Sequence, residues 1–149
     1  MTEQELIKKR GEIIEKTINV ERLLDTVITQ HYFNSIKINF LTEVLYDEYC
    51  SFGLKTNIIS KITSNRKLYS SLKRLSNIRN YFAHTGLTLD EFVDKFDRSK
   101  GTKRRNPDPK KLEQDINYET LYTEFIKLES EVRTKLWELY LQKDRCATD

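Results

Sequence analysis

The stretch Ile78-Arg79-Asn80-Tyr81-Phe82-Ala83-His84 brings together the residue types best suited to chemistry in this chain. An arginine is a permanent cation whose planar fork grips phosphate oxygens in pairs. A histidine gives and takes protons near neutral pH, and only two occur here. Between them Asn80 offers a neutral donor and acceptor beside the cation. Arg79, Asn80 and His84 together point to metal-free chemistry at a phosphodiester. The same residues also suit a helix end whose terminal histidine meets the helix dipole.

The spacing constrains how such a site is built. Five residues of regular helix turn through about 500°, which leaves Arg79 and His84 about 140° apart. They do not share one helix face. Either the helix stops near Ala83, with Thr85-Gly86 as its stop signal and His84 swinging back, or the two groups meet across an interface.

The elements around the stretch follow from apolar periodicity. Residues 3–33 read as one long helix, in which Leu6, Ile7, Ile13, Ile14, Ile18, Leu24, Val27, Ile28 and Tyr32 recur at three- and four-residue steps. Asn34-Ser35 breaks it. A second helix is expected over about 36–49, with Ile36, Phe40, Leu41, Val44 and Leu45 turned inward, ending at Ser51-Phe52-Gly53. A shorter one follows over 55–64 on Ile58, Ile59 and Ile62. The helix bearing the stretch runs from about 66 to 83, with Leu68, Leu72, Leu75, Ile78 or Arg79, and Phe82 as its stripe. The last helix, 118–143, uses Leu121, Phe125, Leu128, Val132, Leu136, Leu139 and Tyr140, and leaves Trp137 off the stripe. No strand emerges. The fold expected is all-α, an antiparallel bundle of four to five helices forming a single domain over 1–149.

Before the last helix the character changes. Leu89, Phe92, Val93 and Phe96 suit a short helix or an extended segment. A basic loop over about 97–109 then carries Arg98, Lys100, Lys103, Arg104 and Arg105, closed by Asn-Pro-Asp-Pro. Lys103, Arg104 and Arg105 are candidates for holding a phosphate backbone, and the same loop suits a plain solvated surface. The tail 144–149 is expected to fray.

The totals exclude several classes. With 149 residues, 38% hydrophobic and 33% charged, the chain suits one water-soluble domain. No apolar run nears the ~18 residues of a membrane span, and the N-terminus lacks the pattern of a signal peptide. Two cysteines, Cys50 and Cys146, make neither a metal cluster nor a disulfide framework, which fits a reduced, cytoplasmic setting. There is no glycine-rich phosphate loop, no His-Glu-x-x-His pair and no serine elbow, and no cofactor is called for. His31 reads as a helix-end histidine. Glu21 and Asp25 lie one turn apart and suit either orienting Arg79 from a facing helix or a place on the surface. Tyr81 is open to stacking on a base, and Phe82 to core packing.

Leu75-Ser-Asn-Ile-Arg-Asn-Tyr-Phe-Ala-His84 resembles the signature of the HEPN superfamily of small helical domains: arginine, four to six residues, then histidine, often with asparagine after the arginine. Glu21-Arg-Leu-Leu-Asp25 is similar to an acidic, leucine-rich element of the family's first helix. Ser51-Phe-Gly-Leu-Lys-Thr-Asn-Ile58 resembles the mannitol-repressor-like branch. The resemblance implies a metal-independent endoribonuclease in which two protomers face their motifs across a two-fold axis. His84 would serve as general base or acid, Arg79 would hold the scissile phosphate, and Asn80 would position one of them. It implies RNA as substrate, a homodimer as the working unit and, for a toxin or defence effector, a cognate antitoxin protein as partner. Leu87 stands where one toxin branch carries a tyrosine, so regulation by nucleotide transfer is not implied. The alternative is a non-catalytic helical regulatory or protein-binding module of the mannitol-repressor-like type.

Overall fold

The computed structural model describes residues 2–33, 35, 37–84 and 118–146. The Leu89–Phe96 segment, the basic loop with Lys103, Arg104 and Arg105, the Asn34 break, Ile36, the Thr85-Gly86 stop and residues 147–149 lie outside the described residues. What is described is all-α, with no strand among the described residues.

The first helix, α1, spans Glu3–Phe33, as its periodicity predicts. It buries Ile13, Val20, Leu24 and Ile28 completely or nearly so. Ile7, Ile18 and Tyr32, which share the same repeat, are instead exposed. α1 thus carries two apolar faces, which the spacing alone merges into one.

The second helix is shorter than the pattern predicts. α2 (Ile38–Phe40) runs straight into a π-helical turn, Leu41–Leu45. There the Tyr46 N–H donates to the Leu41 carbonyl at 2.8 Å, five residues back. The wider turn takes up an extra residue, so the inward register shifts. Leu45 is buried and Val44, expected inside, is exposed. The helix then stops because Asp47 captures backbone donors: its Oδ1 accepts from Tyr49 N at 2.9 Å and its carbonyl from Cys50 N at 2.9 Å.

Ser51 begins a helix; it does not end one. It is the N-cap of α3 (Phe52–Ile62), its Oγ accepting from Leu54 N at 3.3 Å. Asn65 plays the same part before α4 (Arg66–His84), its Oδ1 accepting from Leu68 N at 3.0 Å. The final helix, α5, spans Tyr118–Cys146, so residues 144–146 continue the helix. Trp137 is exposed, as its position off the stripe predicts.

The polar contacts fix the helix directions. Lys9 meets Glu119, Glu12 meets Tyr122 and Lys16 meets Glu129, so α1 and α5 run parallel. Arg74 grips Glu124 while Phe82 packs on Tyr118, so α4 runs antiparallel to both. The core lies between these three helices and α3, around Leu24, Ile59, Leu72, Leu75, Phe82 and Phe125.

Candidate functional site: the end of α4

The last turns of α4 alternate between anchoring and presenting. Ile78 and Phe82, one turn apart, are sunk in the core. Their burial turns Arg79 and Asn80 to solvent. This settles the choice between Ile78 and Arg79 for the inward stripe in favour of Ile78. Arg79 Nη1 donates to Asn80 Oδ1 at 3.0 Å. The amide thus steadies the guanidinium without neutralising it.

Tyr81 is half-buried. Its ring lies 5.8 Å from that of Tyr118 and 6.5 Å from that of Phe82. Burial, with Tyr118 close by, pushes its phenol well above the ordinary value, so it stays protonated. The helix continues through His84. The helix therefore does not stop at Ala83, and positions 79 and 84 lie about 140° apart around its axis.

Beside Arg79 lies an open cleft of about 530 Å³ between α1, the turn after Leu45 and the start of α3. Glu21, Arg22, Asp47, Glu48 and Arg79 line it, with Asp25, Cys50 and Lys55 at its floor. Glu21 and Asp25 neither orient Arg79 nor form a pair of surface acids. Both turn to Lys55 of α3. Its Nζ donates to Glu21 Oε1 at 2.8 Å and to Asp25 Oδ2 at 3.1 Å, and it stands 3.0 Å from Asp25 Oδ1. Asp25 and Lys55 are each only 2% exposed. That last contact is poorly aligned, and Oδ1 has no hydrogen bond of its own.

The electrostatics follow from this burial. Desolvation pushes the Asp25 carboxyl up to about 6, and the Lys55 ammonium only partly offsets it. For Lys55, burial is the largest single influence and pulls downward. The hydrogen bonds to Glu21 and Asp25 together outweigh it, so the ammonium sits above its ordinary value and stays charged. Burial likewise raises the Cys50 thiol, leaving it neutral.

Lys55 is the residue that the sequence reading left without a role. A lysine amid the apolar residues of α3, with two acids spaced one turn apart elsewhere, was the available signal. His31 lies at the end of α1, half-buried and edge-on to Tyr32 at 5.0 Å, as its place in the sequence predicts. Among the described residues no three His, Cys, Asp or Glu side chains are grouped to hold a metal, and no helix is long and apolar enough to cross a membrane.

No family model, curated protein or solved structure matches the chain.

Proposed function

We propose that the chain is a HEPN-type, metal-independent endoribonuclease whose site is completed by a second copy. The observation that carries this reading is the exposed Arg79–Asn80 pair on a helix that stays continuous to His84. Arg79 spends its hydrogen bond on a neutral amide, so its charge remains available to an anion. Glu21 and Asp25, the acids nearest in sequence logic, are committed to Lys55. The 2′-oxygen of the RNA attacks the adjacent phosphorus, the bond to the 5′-oxygen breaks, and a cyclic phosphate forms. His84 takes the 2′-hydroxyl proton or supplies one to the leaving oxygen. Arg79 meets the added charge of the crowded phosphorus, and Asn80 holds Arg79 in place. In this reading the Arg79 and the His84 that meet at one phosphate come from two chains, which suits their different positions around α4. The reading carries with it an RNA substrate, a homodimer and work in the cytoplasm. In a toxin role it adds a cognate antitoxin as protein partner.

The test mixes purified protein with RNA in EDTA. Products ending in cyclic phosphate are expected from the wild type, with a loss of at least about a hundredfold in His84→Ala. Equal cleavage by the two proteins refutes the assignment. The acid-rich cleft beside Arg79, unwelcoming to a phosphate backbone, favours a second reading: a non-catalytic module that binds a protein partner. That reading expects no cleavage by either protein and partner binding that His84→Ala leaves unchanged.

A further inference from the structure

α1 presents a second apolar face to solvent. Ile7 is 57% exposed and Ile18 is 43% exposed, and Ile14 lies half-buried between them. With Gly11 these residues step by four, three and four, the spacing of a seam between two packed helices. Gly11 sits in the middle of a long helix, where glycine costs about 1 kcal/mol relative to alanine. Nothing among the described residues explains it: a Cβ built there meets none of their atoms within 4 Å. A glycine on an exposed helix face does explain the close approach of a second backbone. The face is also continuous with the motif, since Ile14, Ile18 and Glu21 line a small notch together with Ser76 and Arg79 of α4.

We infer that this face is an antiparallel, two-fold seam between the α1 helices of two copies of this chain. In that register Ile7 faces the partner's Ile18, and Gly11 faces the partner's Ile14. The large residue of one helix fills the hollow left by the glycine of the other. Lys8 and Glu15, both exposed along one flank of the stripe, then lie opposite the partner's Glu15 and the partner's Lys8, so charge favours the same alignment. A parallel seam sets glycine against glycine and leaves a void. The contact is isologous, as a closed dimer requires. One helix face per chain falls at the small end of the interface range, below about 1,200 Å² in total, so the dimer dissociates on dilution.

The seam also bears on the Arg79 site, a point that rests on the composite-site reading above. α4 runs antiparallel to α1, so His84 lies beyond Arg79 toward the N-terminal end of α1. Pairing Ile18 with the partner's Ile7 therefore brings the end of the partner's α4 to the level of Arg79.

Sedimentation over a wide concentration range tests the seam with two variants, alongside the RNA assay. Wild type is expected to form a reversible dimer. Gly11→Leu is expected to be a folded monomer with an unchanged or raised melting temperature, because a Cβ there meets none of the described residues and leucine favours helix. In a Cys146→Ser background, Ile7→Cys with Ile18→Cys is expected to oxidise to a covalent dimer, and Ile7→Cys alone is not. A wild type that stays monomeric throughout, or a Gly11→Leu protein as dimeric as wild type, overturns the seam. Efficient cross-linking by Ile7→Cys alone overturns its antiparallel register. Dimers that cleave no RNA leave the seam standing and remove the ribonuclease, whereas undiminished cleavage by a monomeric Gly11→Leu protein does the reverse for the composite site.

Discussion

Replacing Asp25 with asparagine isolates the cost of a buried charge. The side chain is 2% exposed, and burial lifts its carboxyl from an ordinary 3.8 to about 6 despite the Lys55 ammonium. Keeping it ionised at neutral pH therefore costs the fold about 3 kcal/mol relative to a fully solvated Asp. The sign follows from the direction: a carboxyl raised in the folded state adds stability that is complete below 3.8 and lost as pH rises through about 6. Between about pH 5 and about pH 8 a loss on the order of 1 kcal/mol from that contribution is expected. Asparagine keeps an acceptor for Lys55 and does not titrate. Urea unfolding of both proteins at several pH values across this window reads the difference directly, because groups remote from Asp25 cancel in it and Lys55, which touches Asp25, stays charged throughout. Wild type should lose on the order of 1 kcal/mol relative to Asp25→Asn from the acid to the alkaline end. Parallel stability curves refute the reasoning. So does a wild type that gains on the variant as pH rises, since Lys55 would then be holding Asp25 below its ordinary value.

Two further outcomes test the scaffold of the site. Phe82 is fully buried against Tyr118, so Phe82→Ala should cost about 3–5 kcal/mol in chemical denaturation. Ser51→Ala removes the acceptor for Leu54 N and should cost about 1 kcal/mol, read as a lower melting temperature.

What the sequence foretold divides along physical lines. α1, α4 and α5 were legible because long stretches of three- and four-residue spacing specify a helix without reference to anything else. Burial of Phe82 was legible for the same reason, whereas the spacing left Ile78 and Arg79 as equal candidates for the inward stripe, and it is packing that buries Ile78 and turns Arg79 out. The π-helical turn at Leu41–Leu45 was not, because its sequence carries the same apolar spacing as an ordinary helix. Ser51 was misplaced because a residue between two helices serves equally well to end one or begin the next. Its hydrogen bond decides. The ion cluster of Lys55, Glu21 and Asp25 spans 34 residues of sequence, and spacing says nothing about partners on different helices. Ile7 and Ile18 show the remaining difficulty: residues turned to a core and residues turned to a neighbour repeat with the same period.

The parallel run of α1 and α5 has a consequence for how the chain reaches its fold. Lys9 and Glu119, like Glu12 and Tyr122, are separated by 110 residues. Helix pairs joined by short turns can zip together from local encounters, but this pair must close a loop of most of the chain before its contacts count. During synthesis α1 emerges about 110 residues ahead of the part of α5 that it meets. Until then the side of α1 that meets α5, around Lys9, Glu12 and Lys16, lacks its partner. This protein is therefore expected to acquire its native packing only after α5 leaves the ribosome, and the interval before that is when it is most open to aggregation.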